Sequence, residues 1–262
     1  MPVQSIPPSS LDAMAVHLFI SPHFDDVAFS CGAILAKCVA SGDSAVLCTV
    51  FTRDRRPMNP FAEQCQVSKG IALDVEYLAL REKEDDRAIK TLGSARIEAA
   101  RLGFLEAPYR GYDSSLALFG EMRSIDEKLF LDVGSAIKRL ALDCRAEHIY
   151  CCLGVGNHVD HRIVRAAVDH FVSSRQALYY VDTPYALKNP AQVNQYTDGM
   201  TPVRVEIGAT LDAKLAACEC YASQLGFQFG SASAMRAMLS NSARTSAIEC
   251  GIDGFIERLY KQ

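Results

Sequence analysis

The stretch VHLFISPHFDDVAFSCG, residues 16–32, decides how the chain folds. Val16 to Ile20 is a short apolar run and reads as a buried strand. Ser21-Pro22 ends it, and Val27-Ala28-Phe29 opens a helix. Residues 27–41 are apolar nearly all round, Gly42 is a natural stop, and Ala45 to Phe51 is a second continuous apolar strand. Strand, buried helix and strand in this order form a βαβ unit, so the sheet starts parallel and the fold class is α/β. Such open sheets place their chemistry just past the carboxyl ends of the strands. There the chain sets His23, Asp25 and Asp26 within four residues, one imidazole and two carboxylates, which suggests a metal site with a spare base.

Outward from this unit the chain is read in order. Residues 1–14 are a Pro/Ser-rich arm. Thr52 to Pro60 is a charged loop whose Arg53, Arg55 and Arg56 read first as solvated, and second as a mouth for a polar or anionic substrate. A helix is expected from about Asp74 to Leu92, closed by Gly93. Residues 95–102 stay open between strand and helix. Residues 106–112 form a loop, and 123–142 an amphipathic helix with Ile125, Leu129, Val133 and Ile137 on one stripe. Strand His148 to Leu153 leads into the glycine-rich turn Gly154-Val155-Gly156-Asn157-His158-Val159-Asp160-His161, then a helix over 163–172 and a strand over 178–181. Val203 to Ile207 alternates like a half-exposed strand. Leu211, Leu215, Cys218, Ala222 and Leu225 mark one last helical stripe, and the tail from 226 to 262 ends in a short helix. With no repeat and no linker, residues 1–262 read as one domain.

Composition excludes some classes. The chain has 262 residues, 49% hydrophobic and 22% charged, with net charge -4. That size supports a sizeable core. No basic excess favours nucleic acid or an anionic membrane surface. No apolar run approaches the roughly 20 residues of a membrane helix, and the start lacks a secretory pattern. A cytoplasmic protein with free thiols is expected, its ten cysteines unpaired. The Cys218-Glu219-Cys220 pair falls on two faces of a helix rather than forming a metal clip. A homo-oligomer is compatible with the sequence.

In the second polar cluster, Asp160 precedes a helix and could cap it, but capping does not account for His158 and His161 in the same turn. His23, Asp26 and His161 supply a His₂Asp set, three protein ligands of the N/O type that a catalytic zinc takes. Fe(II), Co(II) or Mn(II) also suit such a set. Asp25 is then left for proton transfer and His158 for holding an oxyanion. No G-x-S-x-G elbow, dinucleotide fingerprint or P-loop is present.

Ser21-Pro22-His23-Phe24-Asp25-Asp26 followed by Cys31-Gly32 resembles the (A/S)-H-P-D-D…G-G signature of the PIG-L/LmbE-like zinc-dependent N-deacetylases. His158-Val159-Asp160-His161 is similar to that family's H-x-D-H motif. Arg81-x-x-Glu84 with Leu92-Gly93, the Ala107-Pro108-Tyr109-Arg110 loop, Thr183-Pro184-Tyr185-Ala186 and Ser223-Gln224 follow in the family's order, so the resemblance spans about residues 16–226. It implies a Rossmann-like fold and hydrolysis of an N-acetyl group from an amino sugar or a sugar-containing small molecule. By position it puts zinc on His23, Asp26 and His161, the general base on Asp25, oxyanion stabilisation on His158, and a supporting carboxylate on Asp160. It places Arg81 near substrate and resolves residues 96–102 as strand. Arg110 is a candidate for polar substrate recognition, and Tyr109, Tyr112 and Tyr185 for stacking on a sugar ring. Three positions depart from the pattern: Phe24 stands for proline, Cys31 for glycine, and Val27 where many members carry Glu. The alternatives are a non-catalytic metal- or ligand-binding module on the same fold, and a nucleotide-binding transferase.

Overall fold

The computed structural model describes residues 14–262, so the expected N-terminal arm lies outside the described residues except for Met14. Strand β1 (Val16–Ser21), helix α1 (Asp26–Ala40) and strand β2 (Ser44–Arg53) make the expected unit. The two strands pair in parallel, Val16 opposite Ser44 through Ser21 opposite Thr49. Both are buried on both faces, which is why they read as continuous apolar runs rather than alternating ones. Helices α2 (Pro60–Val67) and α3 (Tyr77–Gly93) lead to β3 (Ile97–Leu105), parallel to β2. Helices α4 (Ser115–Leu118) and α5 (Ile125–Asp143) carry the chain back to β4 (His148–Cys152), which pairs with the other side of β1. Helix α6 (Val159–Phe171) then crosses to β5 (Ala177–Tyr180). Two short helices, α7 (Tyr185–Lys188) and α8 (Val193–Tyr196), precede β6 (Thr201–Glu206). Helices α9 (Leu211–Glu219), α10 (Ala222–Phe229) and α11 (Ala232–Ile248) precede β7 (Ile256–Lys261).

The seven strands lie in the order β3-β2-β1-β4-β5-β7-β6, with β7 antiparallel to both of its neighbours. From β1 the chain steps outward to β2 and β3, then returns to the other side with β4 and β5. The order therefore reverses between β1 and β4, and their carboxyl ends open a crevice, the position where doubly wound sheets bind ligands. Residues 22–26 and 153–161 flank that crevice. Among the described residues no helix is long and apolar enough to cross a membrane. All ten cysteines are free thiols, with Cys218 buried in α9 and Cys220 half-buried just past its end.

Several elements differ from expectation, each for a physical reason. Residues 96–102, left open by local pattern, lie almost wholly in the edge strand β3 as the resemblance implies; only Ile97 is buried there, so no alternation shows. Helix α2 was not expected, although Asn59 caps it by accepting from Ala62 N at 2.9 Å and Pro60 occupies its first turn. Helix α6 begins at Val159 rather than 163, because His158 is its N-cap and its Nδ1 accepts from Asp160 N at 3.2 Å. The stripe over 211–225 is two helices, not one. Glu84 of α3 accepts from both Ser223 N (2.8 Å) and Ser223 Oγ (2.6 Å), starting α10 afresh and leaving Ala222 exposed. The tail ends in strand β7 instead of a helix.

Strand β7 also reshapes α1. That helix is kinked at Cys31 (φ -134, ψ 25), and the Glu257 carboxylate accepts from Ala33 N at 3.4 Å and Ile34 N at 2.9 Å just beyond the kink. Lys214 of α9 completes the arrangement, 2.6 Å from Glu257 Oε1 and 3.2 Å from Ser30 O. A φ of -134 suits any L-residue, so cysteine in place of glycine at 31 costs nothing. Val27 is wholly buried, and Phe24 lies under Arg81 and Arg101 with ring-to-guanidinium distances of 5.7 and 5.9 Å. Those two departures are thus absorbed by packing.

At the opposite, amino end of the strands His17 is 2% exposed, its ring stacked on His148 at 5.3 Å and bonded to Tyr150 Oη at 3.0 Å. Burial pushes its imidazole below the usual value, with Asp43 opposing and His148 reinforcing. The unfolded chain takes up this proton near pH 6.5 and the folded one resists it, so stability falls as pH drops through 6.5. Between pH 7.5 and 5.5 wild type is expected to lose more stability than His17→Gln, by urea unfolding at each pH. Equal losses in the two proteins would remove His17 from the acid sensitivity.

Candidate metal centre

The turn after β1 sets His23, Asp25 and Asp26 at the start of α1, and Asp26 Oδ2 accepts from His23 N at 2.7 Å. The turn after β4 needs glycine: Gly156 has φ +95, and a Cβ there would meet the Tyr185 ring at 2.6 Å. That close approach brings His158 and His161 over the same crevice. The three imidazoles of His23, His158 and His161 lie 5.0 to 5.4 Å apart, centroid to centroid.

One donor atom from each of His23, Asp26 and His161 falls within 4.8 Å of the others. Asp26 Oδ2 is 3.4 Å from both His23 Nδ1 and His161 Nε2. The far nitrogens of both imidazoles are taken by other carboxylates. His23 Nε2 lies 3.0 Å from Asp160 Oδ2, and His161 Nδ1 lies 2.7 Å from Asp182 Oδ1. A carboxylate behind each ligating histidine is the arrangement that fixes ring orientation and raises basicity at metal sites. His161 Nε2 is buried without a hydrogen-bond partner among the described residues, an orphan that a cation would satisfy. The His₂Asp donor set therefore fits a divalent ion. The overlapping groups His23/His158/Asp160 and Cys152/His161/Asp182 also come within reach, but Asp160 and Asp182 are already committed behind the imidazoles.

Asp182 escaped the sequence reading as a site residue. It sits two residues past β5, and its Oδ2 accepts from Gly154 N (2.9 Å) and Val155 N (3.0 Å), so one carboxylate orders both the glycine turn and His161. The signal was the same as for His23: a polar side chain past the carboxyl end of a central strand.

Electrostatics follow from burial and these contacts. Burial would raise Asp160, but the Arg110 guanidinium and the His23 bond hold it well below the usual carboxylate range. Burial likewise opposes charge on Asp26, and His161 and His23 outweigh it and lower it. Burial alone would lower His23, yet bonds to Asp160 and Asp26 raise it to about 10. Burial drives His158 well below its ordinary value, so it stays a neutral imidazole.

The candidate catalytic carboxylate, Asp25, is 5% exposed and takes a bond from Arg81 Nη2 at 3.0 Å. Arg81 is also held by Glu106 at 2.9 Å. Asp25, Arg81, His158 and Tyr185 line one cleft of about 290 Å³ with His23 and Asp26. That is the small end of ligand pockets and suits a monosaccharide unit. The Tyr185 ring stands edge-on to His161 at 5.5 Å.

Two expected substrate contacts are corrected. Arg110 does not line this cleft. Its side chain is 6% exposed, with Nη1 2.7 Å from Asp160 Oδ1 and from Leu105 O, and Nε 3.1 Å from Asp126 Oδ1. It is an internal counter-charge to Asp160. Tyr112 is fully buried with its hydroxyl on Asp126, whereas Tyr109 does line the cleft. Arg53, Arg55 and Arg56 do not line it either, and Arg56 pairs with Glu76 at 3.2 Å.

Comparison with known proteins bears on this geometry. The family model described as PIG-L, GlcNAc-PI de-N-acetylase, matches residues 18–172. A 2'-N-acetylparomamine deacetylase of Streptomyces fradiae is 32% identical over 214 residues, covering 79% of this chain and 72% of that protein. Among solved structures, the A40926 pseudoaglycone deacetylase superimposes with TM-score 0.77 at 25% identity, covering 94% of this chain and 96% of that one. The zinc-inhibited form of a teicoplanin deacetylase shares the fold with TM-score 0.78 at 24% identity, covering 94% and 97% of the two chains.

Proposed function

The chain belongs to the PIG-L family, and from that premise we propose that it is a metal-dependent amide hydrolase removing an N-acetyl group from an amino sugar or a sugar-containing small molecule. The observation that carries this reading is the orphaned His161 Nε2, grouped with His23 and Asp26, two residues that line a cleft together with Asp25 and His158. The relatives' names, deacetylases of amino-sugar compounds, support it.

His23, Asp26 and His161 would hold the ion, zinc or another divalent transition metal, which when bound polarises a carbonyl and acidifies water. The chain's own groups do the rest. Asp25 takes the proton of the attacking water and delivers it to the leaving amine, as general base and then general acid. Arg81 orients Asp25, since its guanidinium reaches the carboxylate directly and is itself fixed by Glu106. The bond from Asp160 N makes His158 Nδ1 an acceptor, so this neutral ring carries its proton on Nε2. That N–H is the donor for the developing oxyanion. Asp160 and Asp182 hold the two imidazoles in register.

The test is acetate release from N-acetylated amino sugars before and after chelation. Removing the metal is expected to abolish release, and adding back one equivalent of Zn²⁺, Fe²⁺ or Co²⁺ to restore it. Full activity in protein shown metal-free by elemental analysis would overturn the reading.

A further inference from the structure

Lys69 follows α2 and lines the same cleft as Asp25 and His23. Its position is built rather than incidental. The ammonium donates to Cys65 O at 2.7 Å and lies 5.5 Å from the centroid of the Tyr77 ring and 5.0 Å from that of Phe227. Tyr77 is in turn fixed by Gln224, whose Nε2 donates to its hydroxyl at 2.8 Å. Among the described residues no carboxylate pairs with Lys69. Burial, reinforced by the Arg81 charge, lowers its pKa, the direction expected of a cation lacking its anion.

The carboxylates of the cleft are the reverse case. Asp25 and Glu106 share Arg81, and Asp26 faces two imidazoles. None is left to hold a substrate ammonium, while one cation stands unpaired by charge. We propose that Lys69, clamped between Tyr77 and Phe227, is an anion subsite, and that the substrate is an N-acetylated amino sugar carrying a phosphate or carboxylate rather than a polycationic one. The substrate class rests on the hydrolase reading above; the subsite does not. An anion there makes a charge-assisted bond in a partly desolvated cleft, where such bonds are strong.

The experiment measures equilibrium binding of glucosamine, glucosamine 6-phosphate and muramic acid to the metal-loaded protein, in wild type, Lys69→Met and Lys69→Arg. KM and kcat for the three N-acetylated counterparts accompany it. The wild type is expected to bind at least one anionic sugar about ten-fold or more tightly than glucosamine. Lys69→Met loses that preference and Lys69→Arg keeps part of it. KM moves in parallel while kcat stays within two-fold. Whichever of phosphate or carboxylate gains more identifies the group. Equal or absent binding of all three sugars, or a preference surviving in Lys69→Met, overturns the subsite. An anion preference without acetate release keeps the subsite and refutes the hydrolase reading; acetate release with no anion preference does the opposite.

Discussion

Asp25→Asn is expected to lower kcat for acetate release by about 10²–10⁴-fold, the range lost with a general acid–base group. KM, metal content and thermal stability should stay near wild type. Asparagine is nearly isosteric, and its Oδ1 can still accept the Arg81 bond that Asp25 takes at 3.0 Å. What it lacks is the basic oxygen that receives a proton. His161→Ala is the companion: it removes the orphaned donor nitrogen, so metal and activity fall together. Elemental analysis and acetate release on the two variants thus separate proton transfer from ligation. An Asp25→Asn protein within ten-fold of wild-type turnover would take Asp25 out of the chemistry.

The second large effect is on stability. Arg110→Met is expected to destabilise the fold by about 3–5 kcal/mol, the usual cost of stranding a buried charge. Asp160 is 0% exposed and Asp126 2% exposed, and the variant deprives both of their guanidinium. For a chain of this length that is a fall in Tm of roughly 10 °C. Adding Asp160→Asn should recover part of the loss, because a neutral amide needs no counter-charge. Additive losses in the double variant would show that Arg110 acts by packing alone, over the Phe51 ring 5.0 Å away.

The same arginine shows where sequence reasoning stopped. The central strands and the two polar turns were legible because their signals are local: an apolar run of strand length, a break, and chemistry-bearing residues straight after it. Parallel pairing followed from the buried helix between β1 and β2. Arg110 was read as a substrate contact because nothing near it in sequence says which way a long side chain turns. Its partners Asp126 and Asp160 arrive from α5 and α6. The break between α9 and α10 was equally hidden, since the apolar stripe runs on through it and the cap, Glu84, comes from α3. Helix α2, by contrast, announced itself in Asn59-Pro60 and was legible after all. Lys69 depends on it, so that omission also concealed the cation in the cleft.

The bond between Glu257 and the kink of α1 joins residues 224 apart in sequence. During synthesis the turn that carries His23, Asp25 and Asp26 leaves the ribosome more than two hundred residues ahead of the carboxylate that seats the helix behind it. Contacts of such long range form late in folding, because closing so large a loop costs entropy before any contact rewards it. The growing chain can therefore assemble β1, β2 and the motif between them well before α1 acquires its final bend. The corner that carries His23, Asp25 and Asp26 is then made well before it is set in place, and β7 is the strand that completes it.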